Sequence, residues 1–336
     1  MQAKKQLYNR REFVKTIALG GTAFLYGCSK QTTAPSNDEP PPPPPEPQPP
    51  TRIALYKTQN RTEGVKKVLE LLDVDPMQGK KVLLKPNFNT SDPAPASTHN
   101  DTLSQLVKEI WDRGASQITL AERSYQSFQD VISQKGVDEL ALKLGFDIVP
   151  LENQPMTRFT RAGIHWSNGF DFPDILRDAE YIVSTCCLKT HQYGGVFTMS
   201  LKLSVGCLPS KHMNELHQSS YMRKCIAEIN LAYKPNLIVM DGIKAFISGG
   251  PSSGTERLGE VMVAGTDRIA VDAVGVAILK HLGSTQVPGK IFEQEQIKRA
   301  VELKLGIQEP DQIEFVTPDE ASKQYTDTLK SILENG

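Results

Sequence analysis

Cysteine is scarce in this 336-residue chain, which has five, and none stands in a Cys-x-x-Cys pair. Beside Cys28 there are only Cys186, Cys187, Cys207 and Cys225. That spacing supplies neither an iron–sulfur cluster nor a structural zinc site, so no iron–sulfur cluster is expected. Buried inert thiols are the expectation for these four. The alternative is a redox pair at Cys186-Cys187, whose pKa the neighbouring Lys189 and His191 would depress. Net charge is lacking too: at -1 the chain has no general pull toward nucleic acid or anionic lipid, and nucleic acid is set aside as a partner. No Gly-x-Gly-x-x-Gly follows the first strand, which argues against the usual dinucleotide binding. No Gly-Lys-Ser/Thr ends a glycine-rich loop and no His-x-x-x-His pair marks a metalloprotease helix; Gly250-Pro251-Ser252-Ser253-Gly254 has the Gly-x-Ser-x-Gly spacing but does not run from a strand into an evident helix, so it forms no nucleophile elbow. The weakly apolar stretch from Thr16 to Tyr26 is too short and too rich in Gly and Thr to span a bilayer.

What is present begins with a targeting segment. Asn9-Arg10-Arg11-Glu12-Phe13-Val14-Lys15 resembles a twin-arginine export signal, and Leu25-Tyr26-Gly27-Cys28 looks like a lipoprotein cleavage box that makes Cys28 the lipidated first residue. Pro40 to Pro45, Pro47, Pro49 and Pro50 then exclude helix and sheet interior. Polyproline II makes this stretch a semi-rigid stalk. The expected organisation is a signal over 1–28, a Pro-rich linker over 29–51 and a single α/β domain over 52–336. The twin-arginine translocase is the expected partner in export. The expected location is the cell envelope, on the extracytoplasmic (periplasmic) side of a bacterial membrane, held through lipid on Cys28.

In the body, apolar runs at 52–57, 81–85, 118–121, 147–151, 181–185, 235–242 and 260–264 read as strands. Between them lie helical patterns at 62–72, 100–113, 128–134, 137–144, 221–232 and 267–281, and two more helices surround a short strand at 313–316. Residues 155–170 fit a hairpin. Alternation of this kind predicts a mixed, mostly parallel sheet with helices on both faces and a ligand crevice at the carboxyl ends of the strands.

The polar residues released at those ends are therefore the site candidates. Lys85, Asn87 and Asn89 follow one strand, Glu122 another, and Lys189, His191, Thr198 and Lys202 a third. Lysines beside hydroxyls and Gly-rich turns at Gly194-Gly195 and Gly250 to Gly254 suit a phosphate or carboxylate group. In a helix, Thr198 and Lys202 share one face. His191, His212 and His217 with Glu122 form a candidate divalent-metal set, and His191, Asp241 and the helix-embedded Asp272 candidate acid/base groups. His165 and His281 read as structural.

Lys85-Pro-Asn, Leu188-Lys-Thr-His, Thr198 with Lys202 and Gly206, Asp241-Gly with Gly250-Pro251 and Gly254, then Asp267 and Asp272, together resemble the family known as domain of unknown function 362, over about residues 52–282. Many of its members carry ferredoxin-type cysteine clusters, and this chain departs from them there. At Lys202-Leu203 it also lacks the Asn that tends to follow the lysine. The function expected is a small-anion site supporting acid/base or metal-assisted chemistry. The alternatives are a binding lipoprotein without turnover and a redox protein.

Overall fold

The computed structural model describes residues 50–336. The twin-arginine-type signal, the cleavage box with Cys28 and nearly all of the Pro-rich stretch lie outside the described residues. The described chain runs β1 (Thr51–Lys57), α1 (Arg61–Leu72), β2 (Lys81–Lys85), α2 (Asn100–Asp112), β3 (Gln117–Glu122), α3 (Phe128–Gln134), α4 (Val137–Leu144) and β4 (Asp147–Pro150). A two-stranded antiparallel excursion, β5 (Met156–Phe159) and β6 (Phe170–Pro173), leads into α5 (Asp174–Arg177). Then come β7 (Tyr181–His191), β8 (Val196–Thr198), α6 (Ser200–Leu203), α7 (Met213–Gln218) and α8 (Met222–Ile229). The chain closes with β9 (Leu237–Gly249), β10 (Gly254–Gly265), α9 (Arg268–His281), α10 (Glu295–Glu302), β11 (Ile313–Val316) and α11 (Glu320–Asn335).

The main sheet has the order β11-β1-β10-β9-β7-β2-β3-β4, with β8 paired to β7. β7 pairs in parallel with both β2 and β9, and β3 with both β2 and β4. The antiparallel pairs are β1–β10, β10–β9 and β7–β8. The sheet is thus mixed and mostly parallel, as the alternation of elements implies. Its strands are apolar on both faces because both are covered. Val82, Leu84, Ile118, Leu120, Val183 and Val239 pack toward α1 to α4. Cys186, Leu188, Ile238 and Met240 pack on the opposite side with α6 and α9, and Leu83, Ala121 and Ile182 with α8 and the β5–β6 excursion.

Two segments differ from their sequence pattern. β7 does not end near Thr185 but runs to His191, and every one of its residues is buried. β9 runs to Gly249, so 249–254 is the tight connection of the β9–β10 hairpin rather than an open loop. Buried strands are normally apolar, so Lys189, Thr190 and His191 read as loop. A polar strand held inside a sheet marks the region where local rules yield to something else.

Candidate functional site

The parallel strands β2 and β3 end side by side in Lys85 and Glu122, and the neighbouring β7 runs on past them to His191. Lys85, fully buried at the end of β2, donates from Nζ to Glu122 Oε1 at 2.8 Å and to the Pro86 carbonyl at 3.0 Å. Glu122 also accepts the Phe88 N–H at 2.9 Å and the Arg123 N–H at 2.7 Å. This carboxylate is thus saturated by a cation and two backbone donors. Gly206 lies against the pair: a Cβ there would sit 2.8 Å from Glu122 Oε1 and 3.1 Å from Lys85 Nζ.

One strand over, Lys189 lies opposite Thr198 in the β7–β8 register. Its Nζ donates to the Ala96 carbonyl and, at 3.2 Å, to that of Pro251. Thr198 ends β8 instead of sharing a helix with Lys202; the helix, α6, begins only at Ser200. α6 is one turn long and could not hold a buried lysine by itself. It is fixed at both ends from outside: Asp272 Oδ1 accepts the Ser200 N–H at 2.7 Å and Oδ2 the Leu201 N–H at 3.0 Å. Asn230 Nδ2 donates to the Leu201 carbonyl at 3.0 Å and is itself tied to Arg268. Burial lifts the Asp272 carboxyl to about 7, against the pull of those two backbone donors. Asp272 faces the backbone of α6 and so acts as the anchor of the helix that presents Lys202.

Lys202 then meets His191 across Gly195. A Cβ on Gly195 would stand 2.7 Å from Lys202 Cε and 3.0 Å from His191 Nδ1, so the turn after β7 closes over both only because no side chain is there. Burial, then the charges of Lys189 and Arg123, push the Lys202 ammonium down to about 7. Burial, followed by Lys202, Lys189 and His217, depresses His191 to about 2, so its imidazole is neutral at any physiological pH. His217 is lowered by burial and by the same Lys202 and Arg123 charges.

Among the described residues Lys202 and Arg123 have no carboxylate within ion-pair distance, whereas Lys85 has Glu122 and Arg61 has Asp241. Buried polar atoms without a hydrogen-bond partner gather in the same segments: Asn87 Oδ1, Arg123 Nε, Thr185 Oγ1, His191 Nδ1, Thr198 Oγ1 and Ser200 Oγ. Such orphans cost free energy, and several in one neighbourhood call for an occupant. Two open clefts lie elsewhere, about 410 Å³ beside Trp166 and about 480 Å³ beside Lys81 and Glu180. The second borders the amino ends of β2 and β3, opposite the charged residues.

Not every candidate joins this cluster. Asp241 is bound by Arg61 Nε at 2.7 Å, Thr102 Oγ1 at 2.8 Å and the Ile243 N–H at 3.2 Å, toward α1 and α2, which leaves its carboxylate engaged there. Among the described residues no three His, Cys, Asp or Glu side chains come together to hold a metal. The set of His191, His212, His217 and Glu122 is dispersed: His212 Nε2 accepts the Asp171 N–H at 2.9 Å, and Glu122 serves Lys85. Asn89 is half-buried, and its carbonyl takes the Tyr125 N–H. Gly250 gives its N–H to the Ser253 carbonyl at 2.7 Å, so that donor is not open to an anion; its α-carbon packs on the Thr190 carbonyl. Gly254 packs likewise on Ser248. The four cysteines among the described residues are free and buried. Burial drives their thiols up, to about 11 for Cys187 and Cys225 and about 12 for Cys207, opposite to the lowered pKa that the redox alternative at Cys186-Cys187 requires. Cys186 and Cys187 are successive residues of β7, so they point to opposite faces of the sheet. Arg123, one residue past Glu122 and 7% exposed, is the member of the cluster that spacing did not single out. Its position at a strand end was the available signal.

An α/β protein with amines and an imidazole buried together at the carboxyl edge of its sheet is the class defined here. The chain belongs to the family named domain of unknown function (DUF362), whose model matches residues 82–277. It is similar to the thylakoid-associated protein sll1697 of Synechocystis sp., 26% identical in a 214-residue alignment that covers 60% of this chain and 64% of that protein. It thus spans less than two thirds of that relative's length. Among solved structures it is similar to the lactate racemase apoprotein from Thermoanaerobacterium thermosaccharolyticum, with a TM-score of 0.40 and 15% identity, covering 57% of this chain and 50% of that one.

Proposed function

We propose that the chain binds a small anion, a carboxylate or phosphate group, between Arg123, Lys189 and Lys202, and that Lys202 exchanges a proton with the bound molecule. The observation that carries this reading is the Lys202 side chain, more than nine-tenths buried and without a carboxylate partner among the described residues, near a second such cation, Arg123, whose Nε also lacks a hydrogen-bond partner. A bound anion supplies the missing charge and raises the Lys202 pKa. It also offers acceptors to Thr198 Oγ1 and Arg123 Nε, which lack partners. An amine that titrates near neutral pH is suited to general acid/base work. Lys85 and Asn87 then form the wall of the site, Lys85 as the partner of Glu122. On this reading the protein works outside the cytoplasm, exported by the twin-arginine route and tethered by lipid at Cys28, with the Pro-rich stretch as spacer. Support for that part is the Arg10-Arg11 motif and Gly27-Cys28.

Sulfate is a suitable probe because its charge is constant across the range in question. Calorimetric titration should show affinity falling by about tenfold or more between about pH 6 and about pH 9, as the Lys202 ammonium is lost. Lys202→Met should bind weakly and without that pH dependence. Affinity independent of pH in the unaltered protein, or binding unaffected by Lys202→Met, refutes the reading.

A further inference from the structure

Three lysines are buried around this site, and they differ in what their nitrogens do. Lys85 Nζ is paired with Glu122 at 2.8 Å. Lys189 Nζ donates to two carbonyls, although burial lowers its pKa. Lys202 has neither a carboxylate nor a carbonyl acceptor among the described residues, so nothing occupies its lone pair once the proton leaves. Its outer carbon and His191 Nδ1 both lie about one atom's contact from the same point, the empty side of Gly195. A desolvated amine beside other cations is an activated nucleophile for carbonyl carbon.

We propose that Lys202 forms an imine with a small 2-oxo acid whose carboxylate rests against Arg123 and Lys189. The inference rests on the anion site described above and names its substrate class. The nitrogen lone pair forms a C–N bond to the ketone carbon while the C=O π pair moves onto oxygen. One proton passes from nitrogen to that oxygen, giving a neutral carbinolamine. His191 Nδ1, unpartnered and neutral, is placed to hydrogen-bond the new hydroxyl. The C–O bond then breaks, the remaining N–H proton leaves with the hydroxyl as water, and C=N remains. No electrons enter or leave, so no oxidant or reductant is needed until the imine is trapped.

The test is reductive trapping of the purified protein with pyruvate and sodium borohydride near pH 7, read by intact mass and peptide mapping. The expected result is one reduced adduct on Lys202, formed about a hundredfold or more faster than on any exposed lysine, since an ordinary amine is almost entirely protonated there. Lactate, with the same charge and no carbonyl, gives no adduct; sulfate slows trapping by competition. Lys202→Met and Lys202→Arg lose the mapped adduct, and circular dichroism confirms that each is folded. If sulfate binds and pyruvate leaves Lys202 unmodified, the imine proposal fails and the anion site stands. If neither binds nor traps, both fail. Equal labelling of the unaltered protein and Lys202→Met also overturns the proposal.

Discussion

Lys202→Met raises the thermal unfolding midpoint, by about 5 °C or more near neutral pH, while it weakens sulfate binding. A buried ammonium without a partner is costly, and methionine keeps much of the lysine stem's shape without the charge. The folded pKa of about 7 lies below the lysine value of an unfolded chain, about 10.4, so between the two the unfolded state holds more protons. Stability of the unaltered protein therefore gains a rising contribution as pH increases through that window. The penalty is complete below about pH 7 and vanishes near pH 10.4. The advantage of Lys202→Met follows the same course: about 3 kcal/mol at or below neutrality, shrinking as the solution is made alkaline. Calorimetric scans of both proteins across that range provide the comparison. A lowered midpoint in Lys202→Met would mean that Lys202 has a structural partner, and the site as described would be wrong.

Glu122→Ala has the opposite sign and a comparable size. It strips the counter-charge from a fully buried Lys85 and leaves the Phe88 and Arg123 N–H groups without their acceptor. Breaking a buried pair from one side costs about 3–5 kcal/mol, more than deleting both charges together. The urea midpoint should fall accordingly with an unchanged slope, and Lys85→Met combined with Glu122→Gln should be less destabilised than Glu122→Ala alone. A change below about 1 kcal/mol in Glu122→Ala contradicts the burial of that pair.

Much of the architecture was legible in order and spacing. β2 falls on Lys81–Lys85 and α9 on Arg268–His281 because an alternation of apolar runs and amphipathic stretches leaves little freedom there, and Asp267 caps α9 by accepting the Ile269 and Ala270 N–H groups. Lys189 and His191 share a strand, so their nearness needed no tertiary information. Partnerships across long separations were another matter. Arg61 and Asp241 are 180 residues apart, and Ser200 and Asp272 are 72 apart; neither pairing leaves a periodic trace. Asp241 and Asp272 look alike in the sequence, each a carboxylate in an apolar run. One ends against a guanidinium and the other under a helix amino end, a distinction made by packing alone. The polar end of β7 was illegible for a further reason. Burying Lys189, Thr190 and His191 breaks the composition rule for strands, and such breaks belong where a protein gives up stability for a site.

The most direct measurement is proton uptake when sulfate binds, obtained from calorimetry at about pH 8 in buffers of differing ionisation enthalpy. At that pH the Lys202 amine is mostly neutral in the free protein, and a bound anion restores its charge. The account predicts uptake of more than about half a proton per sulfate, absent in Lys202→Met. Sulfate binding with no net proton exchange would contradict it.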